Sequence, residues 1–149
     1  MSLQDGIMAA MKTAMKAKDQ TALTALRAIK SAILLAKTES GAVEELTEEQ
    51  ELKILQKQVK QRKDSAAIFL EQGREDLAQP ELDEAAIIDQ FLPEAMSDAA
   101  IEAVVVKTIE SIGASGMKDM GRVMGMVSKE IGGQADGKTI STIVKQKLL

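Results

Sequence analysis

At 149 residues, with 45% hydrophobic side chains and a net charge of −4, the chain has room for one domain, or two small ones, around a real core. It holds no His, Cys, Tyr or Trp, which removes the usual neutral-pH general base, thiolate chemistry, disulfides, zinc clusters and most platforms for stacking single-stranded bases. With aromatics at 1%, Phe69 and Phe91 alone, the core must be built of Leu, Ile, Val, Met and Ala, a palette that favours helices.

Apolar residues recur every three or four positions almost throughout, the period of an amphipathic helix. Leu3, Ile7, Met8, Met11 and Met15 form the first apolar stripe, with Ser2 placed to cap it. Asp19 can cap a second helix that turns Ala22, Leu23, Leu26, Ile29 and Ile33 inward and ends near Gly41. Thr47-Glu-Glu-Gln50 reads as a capping box and opens a long helix through Leu52, Leu55, Val59, Ala66, Phe69 and Leu70 to Gly73. Its polar face carries Lys53, Lys57, Lys60 and Lys63, a solvated stripe offset by nearby acids.

Arg74 to Pro80 reads as a turn or a first helical turn, since Pro is tolerated early in a helix. A fourth helix then runs through Ala85, Ile88 and Phe91 and stops at Leu92-Pro93, where Pro pushes its predecessor toward extended geometry. This places a hinge at Pro93–Ser97. Ser97 caps a fifth helix with Ile101, Val104, Val105, Thr108 and Ile112 inward and Gly113 at its end. Two more helices are predicted at about 118–131 and 137–148. The expectation is an all-α protein with an N-terminal helical subdomain, 1–92, of about four helices, one of them long. A C-terminal three-helix bundle, 93–149, follows it.

Charge is unevenly placed. Residues 1–38 hold six bases against two acids, 39–51 hold six glutamates and no base, and 116–149 hold six bases against three acids. A basic end lets an acidic protein meet a polyanion. No apolar run approaches the roughly 18 residues of a membrane span. The N-terminal Met1-Ser-Leu-Gln-Asp5 has no basic leader region, so a cytoplasmic protein without a secretion signal is expected.

One motif in the basic end is misleading. Gly132-Gly-Gln-Ala-Asp-Gly137-Lys138-Thr139 satisfies the phosphate-loop pattern letter for letter. That loop works by joining a buried strand to a helix N-terminus. Here Met120, Val123, Met124, Val127 and Ile131 precede it at helical spacing. The same letters describe a corner in which Gly132 and Gly133 end one helix and Asp136 caps the next, so no nucleotide cofactor is expected. Nor is any metal or catalytic residue.

Gly121-x-x-x-Gly125, inside the sixth helix, has two readings. The glycines can let this helix pack closely on a neighbour, or they can let a nucleic-acid backbone approach while Lys118, Arg122, Lys129, Lys138 and Lys145 neutralise phosphates.

At these residues a resemblance emerges. Asp119-Met-Gly121-Arg-Val-Met-Gly125 and Gly132 to Ile140, with Val144, resemble the tail domain of the B subunit of tRNA-dependent amidotransferases. Gln61-Arg-Lys-Asp-Ser65, Gly73-Arg-Glu-Asp-Leu77 and Phe91-Leu-Pro93 resemble the stand-alone YqeY proteins that share this GatB/YqeY domain, and that likeness covers essentially the whole chain. The resemblance implies an all-helical fold and a tail that holds the tRNA body, while amidation, a glutamine-dependent carbon–nitrogen ligation, belongs to other domains and subunits. The expected function is therefore a non-catalytic helical module that contacts tRNA or a tRNA-amidating assembly. The alternative is a protein–protein adaptor whose acidic segments, 39–51 and 71–89, face a basic partner.

Overall fold

A computed structural model describes residues 2–39, 41 and 45–149 of the chain. Of these, 83% are helical, in seven α-helices and two short 3-10 turns, and no strand occurs among the described residues. They fall into two compact units, Met1–Leu92 and Pro93–Leu149, each with its own core.

In the first unit, α1 (Leu3–Ala17) starts where the Ser2 hydroxyl accepts the Asp5 N–H at 3.1 Å and the Asp5 carboxylate accepts the Ser2 N–H at 3.3 Å. That reciprocal cap satisfies two donors the first turn would otherwise leave open. Lys18 ends the helix in the left-handed region, φ 56°, and Asp19 caps α2 (Gln20–Glu39) by accepting the Ala22 N–H at 3.0 Å. Thr47 and Gln50 form a second capping box at the head of α3 (Glu48–Glu71), 24 residues long. Gly73, at φ 71°, turns the chain into α4 (Glu75–Asp89).

The core of this unit is rich in alanine: Ala14, Ala22, Ala25 and Ala85 pack with Ile7, Leu26, Ile29, Leu55 and Ile88. Small side chains at helix contacts let the axes approach, and each fully buried Leu or Ile contributes about 1.5–3 kcal/mol of transfer free energy. Arg62 links α3 to α4: its Nε lies 3.5 Å from Glu84, and its Nη1 donates to the Gln58 side-chain oxygen at 2.6 Å and to the Gln58 carbonyl at 3.2 Å.

Two expectations fail here. Met8 and Met15, assigned to the inward stripe of α1, are each 53% exposed, because the buried register runs through Ile7 and Ala14 instead. Leu70 lies at the surface rather than in the core. Of the two readings of Arg74–Pro80, a turn or a first helical turn, the helical one holds: α4 starts at Glu75 and carries Pro80 inside it. Near the start of a helix Pro forfeits only one backbone bond, which the acids Glu75 and Asp76 beside the N-terminal dipole help to offset. Of the acidic segment 39–51, Ser40, Ala42, Val43 and Glu44 lie outside the described residues.

In the second unit, α5 (Asp98–Ile112) is capped by the Ser97 hydroxyl, which accepts the Ala100 N–H at 3.1 Å. Gly113, at φ 64°, ends it in the left-handed conformation that a Cβ would penalise. A 3-10 turn, Met117–Asp119, leads into α6 (Met120–Ile131). A second, Gly132–Gln134, leads to α7 (Gly137–Leu148). The Val104–Val106 run is helical despite its β propensity, since its buried members Ile101, Val105 and Thr108 keep the 3.6 period. This core is almost entirely β-branched: Ile101, Val105, Val123, Val127, Ile131, Ile140, Ile143 and Val144, with Leu148. Thr108, buried among them, donates its hydroxyl to the Val104 carbonyl at 2.9 Å.

Candidate nucleic-acid interface

On α6, Val123, Val127 and Ile131 are buried, with Met120 and Met124 beside them. The opposite face consequently holds Gly121, Arg122, Gly125 and Lys129, all exposed. Arg122 and Lys129 are seven residues apart, two helical turns, which at 1.5 Å per residue is about 10 Å along the axis. On α7, Ile140, Ile143, Val144 and Leu148 are buried, so Lys138 and Lys145, also seven apart, share its exposed side. Lys118 stands exposed in the 3-10 turn before α6. None of these five cations has an ion-pair partner among the described residues.

Two of the acids of the same stretch are otherwise employed, while Glu130 stands exposed next to Lys129 in sequence. Asp119 accepts the Ser115 N–H at 2.8 Å and Asp136 accepts the Thr139 N–H at 2.7 Å. Lys147, by contrast, is neutralised by Glu102 of α5 at 2.5 Å. Two acids of this stretch thus serve backbone N–H groups, and five of its six cations, all but Lys147, have no acid partner among the described residues.

The two glycines do not pack against a neighbouring helix. A Cβ added at Gly121 or Gly125 would meet nothing within 4 Å, and neither residue has the positive φ that would require glycine. The sheltered reading of this motif is therefore corrected: α6 is held by its Val–Ile face, and the glycines bare the backbone on the outer face. Met126, 44% exposed, lies next to them in sequence.

The loop that matches the phosphate-binding pattern is a corner between two helices. Gly132, at φ 61° and ψ −129°, ends α6, and the chain reaches extended geometry only at Ala135 before Asp136 caps α7. Gln134 accepts the Met96 N–H at 2.8 Å, tying the corner to the segment before α5. The Asp136 carboxylate takes the Thr139 N–H that a phosphate would need, and puts negative charge there. Among the described residues no group of His, Cys, Asp and Glu could hold a metal ion, and no helix is long and apolar enough to cross a membrane.

Two cation pairs, each seven residues apart, thus stand on the exposed faces of α6 and α7, one of them beside a bared backbone. The chain matches the family model described as Yqey-like protein over residues 4–148, and it belongs to that family. It is 41% identical over 58 residues to the E subunit of the Glutamyl-tRNA(Gln) amidotransferase of Thermococcus gammatolerans, a match that takes in 39% of this chain and only 9% of that longer relative. It is also similar to proteins named Altered inheritance of mitochondria protein 41, mitochondrial. The one from Clavispora lusitaniae is 35% identical over 81% of this chain and 69% of its own length. The one from Pyrenophora tritici-repentis is 28% identical over 94% and 77%.

These relatives overturn the cytoplasmic expectation, since both matches that span most of the chain are named as mitochondrial proteins. The physical reason is plain. The expectation rested on the lack of a secretion signal, which speaks to one export route and does not separate the cytoplasm from a mitochondrial address.

Proposed function

We propose that the chain is a non-catalytic helical module that docks on folded RNA of the tRNA class, by itself or within a tRNA-amidating assembly, through the exposed faces of α6 and α7. The observation that carries this reading is the outer face of α6, where Gly121 and Gly125 stand exposed beside Arg122 and Lys129 with nothing in the chain to require them. Glycine in a helix interior costs about 0.5–1 kcal/mol against alanine. Such a cost on a solvent face is offset when a partner must approach the backbone closely. Free cations flanking the bared strip suit a phosphate chain. The name of the amidotransferase relative supports tRNA as the RNA class.

Contacts of this kind fix position and add affinity but read little sequence. With no Tyr, Trp or His to stack on splayed bases, recognition rests on folded shape. The test is a salt titration of binding to several purified tRNAs. The wild-type chain is expected to lose affinity steeply with salt, and Lys118→Ala with Arg122→Ala to weaken all the tRNAs alike and flatten the log–log slope by about one unit per contact removed. Binding that ignores salt, or that survives both substitutions unchanged, rejects the reading.

The acidic adaptor alternative receives less support, because four of its acids are paired within the chain. Glu45 pairs with Lys37, Glu49 with Lys53, Asp76 with Arg74 and Glu84 with Arg62.

A further inference from the structure

The first unit carries a second cationic surface of different chemistry, between α1 and α2. A groove of about 140 Å³ opens there, lined by Ile7 and Met8 from α1, by Ile33 and Leu34 from α2, and by Gln4, Lys30 and Lys37. Its volume is close to the ~150 Å³ of an engineered apolar cavity that holds benzene, so a Leu or Met side chain fits. The floor is buried, Ile7 at 2% and Ile33 at 4% exposure, whereas the walls Met8 and Leu34 are 53% and 65% exposed. Met15, two turns along α1 from Met8, extends the exposed apolar line. One end is closed by Lys37, which donates to Glu45 at 2.8 Å and to Gln4 at 3.5 Å.

Apart from Glu45 at the Lys37 end, the charge on α1 and α2 beside this groove is mainly positive. Lys12, Lys16, Lys18, Arg27 and Lys30 are exposed, and none has an ion-pair partner among the described residues. The only acids of α1 and of the turn into α2, Asp5 and Asp19, are engaged as caps on the Ser2 and Ala22 N–H groups. A thioether wall adapts its shape readily, and side chains spaced by three and four residues on a partner helix would match a groove between two helices.

We infer that the α1–α2 groove is a docking site for an acidic amphipathic helix of a protein partner, whose apolar side chain enters between Met8 and Leu34 while its carboxylates meet Lys30, Arg27 and Lys12. Charge complementarity selects this occupant. A basic helix meets like charge at Lys30 and along the exposed bases of α1 and α2, and the concave floor formed by Ile7 and Ile33 fits a side chain better than a flat lipid surface. This goes beyond RNA docking and uses none of its residues, so the two readings stand or fall separately.

The test uses the full chain and a synthetic peptide helix of about 16 residues, with leucines at i, i+4 and i+7 and glutamates on both flanks. A matched peptide carries lysines in place of the glutamates. Saturable binding of the acidic peptide is expected, at least roughly tenfold tighter than that of the basic one. Met8→Glu with Leu34→Glu, and separately Lys30→Glu, are each expected to weaken it about tenfold or more while tRNA binding and the melting temperature stay unchanged. These positions are exposed, so the folded core is not disturbed. Equal binding of the two peptides, no saturable binding of the acidic one, or tighter association with phosphatidylglycerol vesicles than with the peptide would overturn the inference. So would loss of tRNA binding in the Met8 and Leu34 variant, because the groove would then belong to an RNA footprint.

Discussion

The outer face of α6 and the groove between α1 and α2 are built by the same device and finished differently. In both, the aspartates lie at helix starts, accepting backbone N–H groups: Asp119 and Asp136 in one unit, Asp5 and Asp19 in the other. These bonds hold the aspartates against the backbone, and most of the nearby cations have no acid partner among the described residues. What lies between the cations then sets the partner. On α6 it is glycine, which exposes backbone. Between α1 and α2 it is Met and Leu around a cavity, which exposes apolar surface. On the two proposals, the same sign of charge serves two chemistries, a phosphate chain where the backbone is bare and an acidic apolar helix where a side chain can be buried.

The largest effect that can break this pairing comes from the cores. Ile140 and Leu55 are 2% and 0% exposed in their respective clusters. Each truncated to alanine should lose about 2–5 kcal/mol, depending on how far the site collapses. If each face depends on its own unit, Ile140→Ala should lower hydrogen-exchange protection over α5–α7 and weaken tRNA binding while peptide binding persists. Leu55→Ala should do the reverse. Loss of both activities from either change would mean that the two faces are not independently supported.

A smaller effect separates architecture from function on α6. Gly121→Ala with Gly125→Ala introduces two methyl groups into open space. Stability should rise, by up to about 0.5–1 kcal/mol at each position and less at Gly121 in the first turn. Binding to tRNA should fall nonetheless. Opposite signs in melting and binding are the signature of glycines kept for close approach. A stabilised variant with unchanged affinity would leave Arg122 and Lys129 as ordinary solvated cations.

How much of this was legible in the sequence depends on which physical signal each feature leaves. The helices and their starts were, because a 3.6 period and hydroxyl or carboxylate caps are local: Ser2, Asp19, Thr47, Ser97 and Asp136 all cap as expected. The phosphate-loop letters were correctly read as a corner, since the residues before Gly132 carry a helical period. The sequence did not reveal which side of a helix wins when apolar residues cover more than one face. Met8 and Met15 compete with Ala14 on α1, and packing chose the small residue, which left the methionines outside to form a groove wall. The orientation of Gly121 and Gly125 was likewise ambiguous, because GxxxG spacing alone does not say whether a neighbour is present. Alanines spaced by three and four opposite exposed methionines are the signal that could have located the groove.

The smallest expected effect tests the capping device through pH. Hydrogen bonding to Ser2, through its side chain first and its backbone N–H next, holds the Asp5 carboxyl below its ordinary 3.8, and Arg74 does the same for Asp76. Lys37, then Gln4, lowers Glu45 below 4.5. A carboxylate whose folded pKa is depressed contributes stability that is present above its unfolded value and lost as pH falls through the folded one. Glu51 runs the other way: burial first, then the neighbouring Glu45, raises its pKa above 4.5, so its contribution is present at low pH and lost as pH rises. Thermal unfolding followed from pH 7 to pH 3 should therefore show an acid-side decline that Asp5→Asn with Asp76→Asn makes shallower, since asparagine keeps an acceptor but no longer titrates. Glu51→Gln should make the same decline steeper by removing a group that opposes it. These groups are at or near the surface, so each change should be modest and should shrink as salt is added. Because Asp5 opens α1, the loss should appear in hydrogen exchange of the α1–α2 hairpin before that of α5–α7. An acid decline confined to α5–α7 would mean that the caps of the first unit do not control its response to pH.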